Sequence, residues 1–233
     1  MHFVIEPLSQ MWWGGVLSSF TAITFLLFLF KKTLKAYQLL FMKILSVLLF
    51  ISWLYGQYNS IFLNENWTLQ NNLPLHLCRI SIIIGMISLW KPRQWMYEWL
   101  LFLSIPSGVH SILTPELTQG ISNYHIFDFY FVHAALIFIP LFLTLNIGML
   151  PRKKAWRSSF LYVQILLLII FPLNFFLDSN YMYLAEKPMV DNPFLMGEWP
   201  WYIIGLELVL MLHIAIIYLP FALKKLFLLE KNH

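Results

Sequence analysis

The sequence predicts an all-α polytopic membrane protein of seven transmembrane helices, and three observations predict it. The chain is 60% hydrophobic and only 11% charged, with a mean hydropathy of +0.70, whereas a soluble globular domain carries roughly 25% charged residues. Seven apolar runs approach the about 20 residues that a helix needs to cross a bilayer core. The connections between those runs alternate in charge, basic then acidic, along the whole chain.

The runs cover 12–30, 37–58, 73–90, 94–113, 125–149, 158–177 and 200–222. The third and fourth are short and tightly joined by "KPR". Basic connections hold Lys31, Lys32 and Lys35, then Lys91 and Arg93, then Arg152, Lys153, Lys154 and Arg157, and finally Lys224, Lys225 and Lys231. The intervening ones hold Glu65, then Glu116, then Asp178, Glu186, Asp191 and Glu198, with Lys187 their only base. The positive-inside rule then sets the N-terminus outside and the C-terminus in the cytoplasm, and a six- or eight-span count breaks the alternation. The length suits a single transmembrane domain over 1–233, multi-pass in the cell membrane.

Composition also excludes classes. The net charge of +4 resides in short clusters such as "KKTLK" and "PRKKAWR" that set topology, with anionic-lipid contact a weak addition, so no nucleic-acid partner is expected. One cysteine rules out an intramolecular disulfide and a multi-cysteine metal site. The start "MHFVIEPLSQMWW" lacks a basic n-region, so the first run is expected to be retained. No inverted repeat of the transporter kind is seen. In the longest connection, 178–199, "SNYMYLAEKP" is too aromatic for a disordered linker, and "GEWPWY" places Trp199, Trp201 and Tyr202 at a boundary, where aromatic residues ordinarily anchor.

Orientation converts sequence into depth. His76, Cys78 and Arg79 fall in the outer part of span three, and His110 reaches the outer surface on span four. His125, Asp128 and His133 occupy the first turns of span five, and span six ends near Asn174 and Asp178. Glu207 lies about two turns into span seven. The inner half is nearly all apolar apart from His213, Glu98 and Lys43. Ionisable groups inside spans are costly and face partners or wet cavities, so one polar cavity opening to the outer leaflet is expected.

Cys78 is the nucleophile candidate, because a thiolate attacks once a base or cation offsets its burial. His76 is two residues away, about 200° around a helix, and so points elsewhere, whereas Arg79 lies about 300° from His76 on nearly its face. The base is better sought in His133, on another helix; Cys78 and His133 lie roughly 8 Å and 13 Å below their helix starts. Asp128 could orient an imidazole or pair with His125, and Glu207 is a second orienter, which makes triad logic available. Blander readings stand beside these. A lone membrane cysteine is ordinarily small apolar filler, an intramembrane histidine ordinarily an interhelical hydrogen-bonding residue, and Arg79 could snorkel to lipid phosphates. Metal ligation by His76, His110, His125 and His133 lacks any H-x-x-x-H pair, so neither metal nor other cofactor is expected.

Five motifs occur in order across about 60–207: "LPLHLC", "LTPEL", "FDFYFVH", "NYMYLAEKP" and "EWPWY....E". Together they resemble the YwaF-like bacterial integral membrane family. That family is similar to a eukaryotic transmembrane protein regarded as a phospholipid acyltransferase, and more distantly to intramembrane lipid hydrolases with a threonine nucleophile and a histidine. The resemblance implies a Cys–His pair, here Cys78 and His133. It also implies site roles for Asn180, Tyr181, Tyr183, Lys187 and Pro188, and for Trp199 and Trp201. The family usually follows its span-five histidine with glycine; this chain has Ala134, which implies a missing close helix approach. The expectation is a lipid acyltransferase, transacylase or hydrolase acting in the outer leaflet, with membrane lipid as partner and with Arg79 or Lys187 on the phosphate. The alternative is a transporter, lipid-binding protein or sensor with a non-catalytic polar cavity, although no broken-helix signal supports a typical transporter.

Overall fold

The computed structural model describes residues 3–63, 67–117, 120–189, 195 and 197–230, with 224–230 described by backbone alone. Helix α1 (Gln10–Lys32) begins at Ser9, whose hydroxyl accepts from the Trp12 N–H, and ends on Lys31 and Lys32, where cations suit the helix dipole. A 3₁₀ turn (Lys35–Tyr37) leads into α2 (Gln38–Tyr58), which continues as a π turn, Asn59–Leu63. Then come α3 (Leu77–Trp90), α4 (Gln94–Trp99) and α5 (Ile105–Leu113), the last two joined through a π turn at Leu100–Ser104 into one crossing. Helix α6 (Asn123–Phe142), with a π turn at Leu143–Ile147, precedes α7 (Ala155–Leu177), a 3₁₀ turn (Tyr181–Tyr183) and α8 (Trp201–Glu230). Among the described residues, eight α-helices therefore make seven crossings.

Five of the helical stretches are long and apolar enough to cross a membrane unaided; α3 is shorter, and the α4–α5 crossing is more polar. The middle of the α4–α5 crossing is buried throughout, and α3 turns Ser81, Gly85 and Ser88 inward. The face that a helix turns to lipid must be apolar, whereas a face packed in protein can carry polar groups that its neighbours satisfy. Ser81 thus accepts from Trp99 Nε1 at 3.0 Å, and the Ser104 hydroxyl donates to the Leu100 carbonyl at 2.6 Å with the Leu136 carbonyl also 2.8 Å away. Pro106 removes an N–H just after the Leu100–Ser104 π turn, and Pro140 precedes the Leu143–Ile147 one, so these two wide turns sit where a proline disturbs the i→i−4 ladder.

The crossings sort the connections onto two faces. On one, strands β1 (Phe3–Val4) and β2 (Glu116–Leu117) pair antiparallel, Phe3 opposite Leu117, and Trp12 Nε1 donates to the Leu113 carbonyl at 2.8 Å. On the other, Asn146 Nδ2 donates to the Leu27 carbonyl, and the fully buried Glu98 carboxylate pairs with Arg152 at 2.7 Å. Residues of α6 and of the Leu100–Ser104 turn form the centre, with α1, α2 and α3 to one side and α7 and α8 to the other.

The expected boundaries hold within a few residues except at two ends. The seventh run extends to Glu230, and the third begins at Leu77 rather than 73. His76 is its N-cap, in extended conformation (φ −71°, ψ 146°), so Pro74 lies outside the helix. The Leu75 N–H bonds the Leu73 carbonyl at 2.8 Å and the Leu73 N–H bonds Tyr181 Oη at 2.9 Å, so this segment is held as a tight turn against another connection instead of in a helix.

Candidate active site

Beneath the face that carries the N-terminus lies a cavity of about 410 Å³. The start of α3 supplies His76, Cys78 and Arg79; α5 supplies Ser107, His110 and Ser111; α6 supplies His125, Asp128 and His133. Helix α7 offers only Val163 and Leu167, and α8 offers Leu206, Glu207, Leu210 and His213 among others. Polar groups gather toward α3 and α6, and apolar ones toward α7 and α8.

His76 and Cys78 both line this cavity, which corrects the expectation that helical geometry separates them. That geometry does not apply, because His76 precedes the helix. Its Nδ1 accepts the Met182 N–H at 3.2 Å, and its ring packs on Tyr181 and Tyr183, with centroids 5.3 Å and 5.4 Å away. His76 therefore docks a loop. Cys78 is a free, half-buried thiol, and among the described residues neither an ion pair nor a hydrogen bond engages the Arg79 guanidinium.

His133 is buried on α6, where its Nδ1 lies 2.7 Å from the Phe129 carbonyl. A carbonyl only accepts, so Nδ1 carries the proton and Nε2 keeps a bare lone pair. Neither carboxylate is its orienter. Asp128 Oδ1 accepts from the Ser52 hydroxyl at 2.5 Å, and Glu207 Oε2 accepts from Gln164 at 2.7 Å. The close helix approach that Ala134 seemed to forfeit is made from the other side: a Cβ on Gly108 of α5 would sit 2.8 Å from the His133 carbonyl oxygen.

His213, which depth alone assigned to the inner half, reaches the cavity. Its Nδ1 donates to the Val209 carbonyl at 2.7 Å, so its Nε2 accepts from His110 Nε2–H at 3.1 Å. A linear count of helical rise from the start of each span misses this meeting. Gln164, too, escaped the sequence reading; its role exists only through Glu207. Among the described residues, no group of three or more His, Cys, Asp or Glu side chains converges as metal ligands.

Of the residues implied in the 178–202 segment, Tyr183 and Pro188 line the cavity, whereas Asn180, Tyr181, Lys187, Trp199 and Trp201 do not. Most of the latter build a cap over it. Asn180 Oδ1 accepts from the Ala185 and Glu186 N–H groups at 3.0 Å and 3.1 Å, closing the turn. Tyr181 is fully buried, its hydroxyl donating to the Leu69 carbonyl at 2.7 Å. Trp199 Nε1 donates to the Leu184 carbonyl, Lys187 lies 3.8 Å from Glu198, and Trp201 is 67% exposed. Burial, then the neighbouring Glu116 carboxylate, pushes the Tyr183 phenol well above its ordinary range, so it faces the cavity as a neutral hydroxyl, 3.5 Å from Glu116 Oε2.

The arrangement places a thiol, an imidazole and a guanidinium along one partly apolar chamber. Against known proteins, a family model described as the TMEM164 family matches residues 7–218. No curated protein and no solved structure matches.

Proposed function

The chain belongs to the TMEM164 family, a family of transmembrane proteins, and from that premise we infer that it is an acyl-transfer enzyme embedded in the membrane. The single observation that carries this reading is that Cys78 and His133 line one cavity while the Phe129 carbonyl holds His133 with Nε2 unprotonated. In the first half-reaction Cys78 Sγ attacks an ester carbonyl of a phospholipid as its proton passes to His133 Nε2. The tetrahedral intermediate collapses, His133 returns the proton to the departing lipid hydroxyl, and a thioester remains on Cys78. In the second, His133 takes the proton of an acceptor hydroxyl from a lysolipid, an alcohol or water, whose oxygen attacks the thioester and frees Cys78.

Two candidates for the lipid phosphate stood in the sequence. Lys187 is engaged by Glu198 and lies outside the cavity, whereas Arg79 lines it without an ion pair among the described residues, so Arg79 is the phosphate ligand in this reading. Leu103, Val163, Leu167, Leu206 and Leu210 would receive acyl chains. The basic connections lie on the opposite face from the cavity, so the site opens to the outer leaflet of the cell membrane in this reading.

Incubation with a labelled phospholipid followed by intact mass tests the chemistry. Wild type is expected to carry an acyl adduct that Cys78→Ala loses, with turnover falling at least about 100-fold for Cys78→Ala and His133→Ala. Absence of any adduct, together with equal lipid turnover by Cys78→Ala, overturns it. One observation favours a second reading, a lipid-binding or transporting protein: among the described residues, no hydrogen bond joins Cys78 Sγ to His133. In that case Cys78→Ser and His133→Ala shift lipid affinity while no reaction product disappears.

A further inference from the structure

We propose that α8 is a lateral gate: lipid reaches the cavity from the bilayer through the seam between α7 and α8. Two side-chain hydrogen bonds hold α8 in place: Gln164 to Glu207 spans that seam, and His110 to His213 ties α8 to α5. The inference concerns access to the chamber and holds whether or not the occupant reacts there.

The α5–α6 wall and the roof are held shut. Helices α5 and α6 meet so tightly at Gly108 that a methyl group there would collide with the His133 backbone. The roof is tied down by Tyr181 to the 69–73 segment, by Met182 to His76 and by Tyr183 O to Tyr202 Oη. Helices α1 and α2 contribute nothing to the lining. The remaining wall is α7 and α8, and these two are thinly packed: 17% and 11% of their apolar stretches are buried, against 61% for α6. Leu206 and Leu210 face the cavity, while Leu208 and Leu212 on the same helix are exposed to lipid. One layer of side chains on α8 thus separates cavity from bilayer.

Lipid tails are as apolar as leucine, so no hydrophobic force presses α8 onto its neighbours, and interhelical hydrogen bonds and close packing hold it instead. Tyr202 fixes the cap end through the Tyr183 carbonyl, and Tyr218 contacts Phe102 toward the other end. Between these two anchors, Glu207 and His213 are the polar side chains of α8 that line the cavity, each bonded to a different helix. Opening the seam breaks these two bonds and leaves the fixed cap in place. An amphiphile could then slide in tail-first along Leu167, Leu206 and Leu210, carrying its polar end toward Arg79.

Cys78 is the chain's only cysteine, so its alkylation reports access to the cavity without needing lipid turnover. The full chain in phosphatidylcholine vesicles is treated with N-octadecylmaleimide dissolved in the bilayer, or with a sulfonated, impermeant maleimide supplied on both sides. Intact mass gives each rate. The octadecyl reagent is expected to label wild type at least about 10-fold faster, and His213→Leu and Gln164→Leu to raise that rate about 3- to 10-fold, the size expected from losing one intramembrane hydrogen bond. Tyr181→Phe, which loosens only the cap, should leave it unchanged. Gln164→Ala serves if either leucine variant loses helical circular dichroism or monodisperse elution. Equal labelling by the sulfonated reagent, unchanged rates in all well-folded latch variants, or acceleration by Tyr181→Phe alone each overturns the gate. The acyl-transfer reading could fail in full, with no adduct from any lipid, and these rates would still decide the question.

Discussion

Tyr181 carries two backbone groups on one hydroxyl: it accepts from the Leu73 N–H at 2.9 Å and donates to the Leu69 carbonyl at 2.7 Å. Tyr181→Phe keeps the ring and strands both groups, which should cost about 1–3 kcal/mol and speed proteolysis of the cap relative to wild type. Gly108→Ala forces a Cβ to 2.8 Å from the His133 oxygen, whereas Gly14→Ala meets nothing within 4 Å. The first should lose about 1–3 kcal/mol of stability in a thermal shift assay and blunt lipid turnover; the second should change neither by a measurable amount. Tyr183 contributes a pH dependence of definite sign. Its folded-state pKa is raised, by burial first and by Glu116 next, so the unfolded chain releases this proton first as pH climbs past about 10. Stability should be level in this group below that pH and decline above it, and Tyr183→Phe should remove that part of the alkaline decline. Residue types were legible at this scale. Cys78, Arg79, Asp128, His133 and Glu207 announced themselves as polar groups in apolar runs. Their partners did not, because Phe129 O, Ser52 and Gln164 are ordinary residues until the helices meet.

At the scale of elements, the α4–α5 crossing owes its place to a clamp at the face opposite the cavity. Glu98 is buried and accepts from Arg152 Nε and Nη2 and from Gln94, while Arg152 itself is 58% exposed. Arg152→Ala should cost about 1–3 kcal/mol, a range set by water reaching the vacated side, and the loss should appear as a lower melting temperature in detergent. Glu98 was visible to the sequence as an isolated acid beside a basic connection, but its burial was not. Span limits were legible because lipid imposes length and hydropathy on each helix separately. The start of α3 was not, because the docking of Leu73 on Tyr181 competes with the helix there.

The described residues form a seven-crossing bundle in which the β1–β2 pair and the end of α8 lie on opposite faces, with the polar cavity under the β1–β2 face. In intact cells, a tag at the N-terminus should be accessible to an impermeant antibody and one at the C-terminus should not; the reverse pattern would invert the orientation and move the cavity to the cytoplasmic leaflet. By itself the sequence determined the class, the number and order of crossings and the alternation of charge, since each depends only on the composition of one segment at a time. Tertiary structure alone decided which polar groups meet. A four-residue error in where α3 begins displaces its side chains about 6 Å along the axis, and His213 stands beside His110 where a count of depth keeps them apart. Local physics sets a span, whereas contacts between spans depend on depth, rotation and tilt together, which no single segment carries.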